Sequence, residues 1–123
     1  MLRIVFGAFL FVHGLVHLAW FAPLPPDDAF PFRWDSPIFP DTDPATKKKI
    51  VAPVIVVLVI ALTVAALGVW GVPALTGIWP VAAILGACLS FVVMALLWHP
   101  WFVTGPLVNL LILLFALIPG LVF

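Results

Sequence analysis

Charge is what this chain has least of. Only 8% of its 123 residues are charged, and the formal net charge is zero. With no basic excess and no basic residues interleaved with aromatics, nucleic-acid binding has no support. Cysteine is nearly missing as well. Cys88 stands alone, which excludes an internal disulfide and any thiolate metal cluster. The five acidic residues are all aspartates, and all fall between Asp27 and Asp43. No carboxylate is therefore expected inside a membrane-crossing segment, and a transport path lined by charge is disfavoured.

Apolar surface takes the place of charge. The chain is 66% hydrophobic and its mean hydropathy is +1.35. A soluble domain of this size has no interior large enough to hide that much, so the bilayer is expected to be the solvent. Four apolar runs are each about long enough to cross a ~30 Å hydrocarbon core at 1.5 Å per residue. They are Leu2–Phe21, Ile50–Trp70, Val81–Trp98 and Leu107–Phe123. Pro80 opens the third at a first-turn position and Pro100 stops it; Gly105-Pro106 opens the fourth, which should bend near Pro119. Arg3 supplies a small n-region to the first run, like that of a signal peptide. At about eighteen residues it is longer than the usual 7–15 of such a segment, and no Ala-x-Ala site follows. It is read as a retained helix.

Residues 22–49 are the one sizeable polar segment. Seven prolines there (23, 25, 26, 31, 37, 40 and 44) forbid a long helix or a central strand. Phe30, Phe32, Trp34 and Phe39 should hold the segment on the membrane surface or over the helix ends. Asp43-Pro44 reads as an N-cap followed by proline at the first helical position. The second helix is thus expected to begin near Pro44, with Lys47, Lys48 and Lys49 as a snorkelling interfacial turn. Small residues recur at helix-contact spacing (Gly7 and Gly14, Ala61 and Ala65, Ala83 and Ala87, Gly86 and Ser90), as membrane helices require for close approach. The expected fold is all-α: a single domain over residues 1–123, an antiparallel four-helix transmembrane bundle. Its helices cover about 2–21, 44–70, 80–98 and 106–123, and one long Pro/aromatic-rich surface loop covers 22–43. Arg33 and three lysines lie on the loop side against Arg3 on the other. The positive-inside count then turns loop 22–43 and Lys47–Lys49 to the cytoplasm of a multi-pass protein of the cell membrane.

The polar residues inside these runs are few enough to take singly. His13 and His17 are four apart and share a helical face. By depth, His13 lies near the midplane and His17 one turn nearer the loop. Trp98-His99 ends the third helix on that side, and Asn109 lies about one turn into the fourth. His17, His99 and Asn109 are therefore expected to converge in the loop-side half, with His13 as deeper support and Trp20 and Trp98 beside them. Asp27-Asp28 looks like a carboxylate pair but more simply solvates its loop. Ser90 and Thr63 are expected to bond their own helix backbone, and Met94 and Cys88 to pack.

These motifs resemble those of a group of small bacterial four-helix membrane proteins, functionally uncharacterised, with an H-G-L-x-H-L signature. Here it reads His13-Gly14-Leu15-Val16-His17-Leu18. Ser90 eight residues before Trp98, and a tryptophan-proline turn leading into Gly105-x-x-x-Asn109, are similar too. The likeness covers the first, third and fourth helices and is weak in Lys47–Val72. It implies membrane location and four helices, and no reaction.

Three uses of the cluster follow. The histidines and Asn109 can serve as hydrogen-bonding glue between helices, or they can line a pocket for a lipid, quinone or other amphiphile. Alternatively, His13, His17 and His99 can ligate a metal in a membrane redox or metal-dependent enzyme subunit. No glutamate completes an H-E-x-x-H zinc motif. Haem is disfavoured because His17 and His99 would differ in depth by about 8 Å; a magnesium-centred pigment needs only one histidine. The leading reading is non-enzymatic: an accessory subunit or amphiphile binder in the bilayer, alone, as a homo-oligomer or beside other membrane subunits.

Overall fold

Each helix starts and stops where its end residues dictate. In the computed structural model, which describes every residue except 27 and 28, the helices are α1 (Leu2–Val16), α2 (Pro44–Trp70), α3 (Trp79–Leu96) and α4 (Gly105–Leu117). The Asp27-Asp28 pair thus lies outside the described residues. Short 3₁₀ turns cover His17–Phe21, Pro100–Thr104 and Pro119–Leu121, and the described residues contain no strand. Four segments, Leu2–Phe21, Pro44–Trp70, Trp79–Leu96 and Pro100–Leu117, are long and apolar enough to cross a membrane.

Asp43 caps α2, its Oδ1 accepting the Thr46 N–H at 2.6 Å, with Pro44 entering the first turn. That hydrogen bond holds the Asp43 carboxyl below the usual carboxylate range. At the other end Gly71 adopts φ 98°, the left-handed conformation glycine tolerates best. The Gly71 and Val72 N–H groups then close the helix on Gly68 and Leu67. α3 ends at Leu96, two residues short of the sequence expectation. His99 precedes Pro100 and is extended (φ −139°, ψ 145°), because the proline ring disfavours helical backbone in the residue before it. Likewise α4 does not run to Phe123. It yields at Ile118, and Pro119 starts a 3₁₀ turn.

α1 packs mainly on α2, α2 on α3 and α3 on α4. Arg3, at the start of α1, donates to the Val69 carbonyl at the end of α2, and Trp70 Nε1 donates to the Ile4 carbonyl at 3.1 Å. Leu62 of α2 is the buried wedge. A Cβ on Gly14 of α1 would lie 3.2 Å from Leu62 Cβ, and one on Gly86 of α3 only 2.6 Å from Leu62 Cγ. Both neighbours therefore come close to α2 at one level because both are glycine there. α1 and α4 meet through side chains, Phe6 against Phe115 at 4.9 Å and His13 against Asn109.

Residues 29–43 lie against this core through half-buried Phe32 and Trp34. Phe32 stands edge-on to Trp20 at 4.9 Å, and Trp34 meets Phe21 at 5.8 Å. Lys47 departs from the snorkelling expected of it. It is buried, and its Nζ donates to the Ser36 carbonyl at 2.7 Å. A backbone acceptor directly above the first turn of α2 takes the place of water. Lys48 and Lys49 stay exposed. Arg33 grips Asp35 with two bonds of 2.8 and 2.9 Å, holding the Asp35 carboxyl below its ordinary range.

Candidate functional site

Four polar side chains from three helices form one hydrogen-bonded ring. His13 Nε2 and Asn109 Oδ1 are 3.0 Å apart. Asn109 Nδ2 donates to Ser90 Oγ at 3.0 Å. Ser90 Oγ and His17 Nε2 are 2.9 Å apart, and His17 Nδ1 lies 2.9 Å from the His13 carbonyl. Ser90 and Asn109 have no exposed surface and His17 only 3%.

Local sequence explains why the ring closes. Ser90 is one turn beyond Gly86 and His17 nearly one turn beyond Gly14, so the two glycines that seat against Leu62 also aim the hydroxyl and the imidazole at each other. The first helix changes character here. It was expected to run as one helix to Phe21, yet it tightens to 3₁₀ at His17, whose backbone N–H reaches Gly14 instead of His13. The His17 imidazole occupies the His13 carbonyl that an α-helical N–H would have used. An end carbonyl satisfied by a side chain and a last turn of i→i+3 bonds are two standard solutions at helix termini. Here they occur together.

Beside the ring is a cavity of about 270 Å³ in the gap between α1 and α4. His13, His17 and Trp20 line one wall, Phe32 of the loop and Met94 of α3 close it, and Phe102, Gly105 and Val108 line the other. Trp20 is 2% exposed, and its Nε1 is the one buried side-chain polar atom among the described residues with no hydrogen-bond partner. A buried N–H left unpaired costs about 1–3 kcal/mol, and this one is covered by its neighbours, with almost no accessible surface through which a molecule in the cavity could reach it.

His99 does not join this group, contrary to the expected convergence of His17, His99 and Asn109. Its Nδ1 accepts the Trp101 N–H at 3.1 Å. Together with Trp98 it lines a separate cavity under the loop, beside Arg33 and Asp35. The cause is the early end of α3. Past Leu97 the chain is extended, and it carries both side chains off the face on which Ser90 lies. The metal reading loses its geometry in the same way. Both nitrogens of His17 are engaged, His99 is elsewhere, and no three His, Cys, Asp or Glu side chains among the described residues could hold one ion. His13 is not merely deeper support, since it bonds Asn109 directly.

Ser90 is the residue that sequence reasoning passed over. It bonds two other helices, not its own backbone. The signal was present in the Gly86/Ser90 spacing, because the face that brings a helix close also carries its hydroxyl inward. A serine hydroxyl on an imidazole whose far nitrogen is held by a carbonyl is the arrangement of an activated nucleophile. Ser90 nevertheless has no exposed surface, its oxygen already accepts from Asn109, and it does not line the cavity. No electrophile reaches it, so the arrangement serves to position the histidines. Met94 is buried in the cavity wall, and Cys88 is exposed on the outer face of α3. Compared with known protein families, curated proteins and solved structures, the chain matches none.

Proposed function

We propose that this chain is a small multi-pass protein of the cell membrane, an antiparallel four-helix bundle. Its 22–43 loop and Lys47–Lys49 face the cytoplasm, and it binds a lipid- or quinone-like amphiphile in the loop-side half without acting on it chemically. The observation that carries this reading is the cavity of about 270 Å³ between α1 and α4, walled by Phe32, Trp101 and Phe102 with His13 and His17 at one side. Small-molecule sites are concave, mostly apolar and supplied with a few placed polar groups, and the cavity beside His13 and His17 has that make-up. An accessory role beside other membrane subunits suits a short chain with so apolar an outer surface. The likeness to the H-G-L-x-H-L group gains a physical meaning, since the four polar residues it rests on, His13, His17, Ser90 and Asn109, are the four of the ring.

The test is to purify the full chain and its Val108→Phe variant, which puts a ring into the cavity, extract both and compare co-purifying amphiphiles by mass spectrometry. One species should be retained by the parent and lost by the variant at equal helicity. Equal extracts from the two proteins would end the reading. Orientation is tested separately, with single cysteines at Asp41 and Thr76 in a Cys88→Ser background. An impermeant reagent applied to intact cells should label position 76 and spare position 41.

A further inference from the structure

We infer that the ligand of this cavity is an uncharged lipid with a free hydroxyl group, which it donates to His13 Nδ1. This rests on the amphiphile-binding reading, takes its lipid side and names the head group.

The polarity follows around the ring from one atom. The His13 carbonyl can only accept, so His17 Nδ1 carries the proton between them. No acidic side chain lines the cavity or belongs to the ring, so neither histidine has a counter-ion and both are neutral. His17 Nε2 is then an acceptor, and Ser90 donates its hydroxyl hydrogen to it. The Ser90 oxygen is left to accept from Asn109 Nδ2. Asn109 therefore turns Oδ1 to His13, whose Nε2 is the donor. A neutral imidazole protonated on Nε2 has a bare lone pair on Nδ1.

That lone pair is unpaired and within reach. Among the described residues no donor meets it. The one buried side-chain nitrogen or oxygen without a partner among them is Trp20 Nε1, so His13 Nδ1, which also has none, keeps accessible surface. His13 is half-buried and lines the cavity. Of the other polar side chains there, His17 has both nitrogens engaged and Trp20 Nε1 is covered, while Thr104 and Trp101 are exposed. His13 Nδ1 is thus the interior polar side-chain atom the cavity offers, and it needs a donor.

Charge narrows the class. No lysine, arginine or aspartate lines the cavity, so a phosphate, carboxylate or ammonium head would be buried there without a counter-charge. A quinone or a simple ester has acceptors alone, and these would face the lone pair. A hydroxyl is uncharged and donates. Phe32, Trp101 and Phe102 supply apolar walls for the chain beside it, and the tail leaves through the side-chain gap between α1 and α4.

The experiment measures saturable retention of tritiated probes by the full chain in phosphatidylcholine nanodiscs, with empty nanodiscs as the partition control. The probes are dioctanoylglycerol and dodecanol, each beside its methyl ether. At least one alcohol should be held about five-fold more tightly than its ether, the worth of one hydrogen bond. The tighter alcohol identifies a glycerol lipid or a single-chain alcohol as the source. In His13→Phe the ratio should fall to about one, because the acceptor is gone. Equal retention of alcohol and ether by the parent overturns the assignment, whether or not the variant folds. An unchanged ratio in a helical His13→Phe overturns it too. If alcohol and ether are retained alike and Val108→Phe releases both, the hydroxyl assignment falls and the cavity reading stands. If no probe is retained, the hydroxyl assignment falls, and the cavity reading falls with it only where extracts of the parent and Val108→Phe are also equal.

Discussion

The two ends of the bundle handle the same problem differently. At the end holding the chain termini, polar hydrogens go to backbone carbonyls at helix ends, Arg3 to Val69 and Trp70 to Ile4. Aromatic rings fill the rest: Phe6 against Phe115 and Trp79, and Arg3 lying over Phe123 at 4.8 Å. At the loop end, polar groups in mid-helix pair with one another across the interior, and a cavity remains beside them. A helix terminus has unsatisfied groups in any case, so satisfying them there constrains nothing else. Four polar side chains on three different helices must be matched in level and direction, and the space needed for that is not fully used by the groups themselves. The filled end is framework, and the hollow end is where the amphiphile-binding proposal places its ligand.

The comparison can be broken most severely at the wedge. Gly86→Val would push a branched side chain into Leu62, whose atoms already lie 2.6 Å from where a Cβ would sit. Overpacking of this kind costs about 3 kcal/mol. The variant should lose both the ring and much of its resistance to chemical denaturation, measured by circular dichroism in micelles. A milder break is Ser90→Ala, which leaves His17 Nε2 and Asn109 Nδ2 facing no partner. The expected loss is about 1–2 kcal/mol, toward the upper range for polar pairs in membranes. Combined with Asn109→Leu it should cost clearly less than the two single losses added together, because both remove one network. Additive losses would mean the ring does not act as a unit.

Val108→Phe sharpens the contrast from the other side. It puts a ring into space that the side chains leave empty, so stability should change by less than about 1 kcal/mol even as ligand retention is lost. A large loss of stability would make this wall framework like the filled end. The smallest expected effect is at the cap of α2. The Asp43 carboxyl is held below its ordinary value by the Thr46 N–H. Its contribution is therefore present above the unfolded-state pKa, about 3.9, and fades as pH falls through the lower folded value. Amide exchange at Thr46 should quicken below that range in the parent and be pH-insensitive by this route in Asp43→Ala.

Much of the fold was legible because bilayer thickness, helix rise and proline chemistry act on local sequence. Four apolar runs of the right length, the Asp43-Pro44 start and the breaks near Pro100 and Pro119 need no knowledge of neighbours. Depth was read in the same way, but it set His13 below Asn109, and the two side chains are in hydrogen-bond contact at 3.0 Å. The direction of the side chains was not legible at all. Whether a side chain meets a partner depends on how each helix is rotated about its axis, and that was decided by Leu62 seating between Gly14 and Gly86. The same seating made Ser90 the centre of the ring in place of His99, whose side chain left the shared face when Pro100 forced the preceding residue into an extended conformation. Lys47 was bent under the loop by a carbonyl eleven residues earlier, a contact no local rule anticipates. Sequence alone determined how many helices there are, since that follows from length and apolarity along one chain. Only the tertiary structure decided which groups meet, and that one indole N–H is left without a partner, since both depend on packing between chain segments distant in sequence.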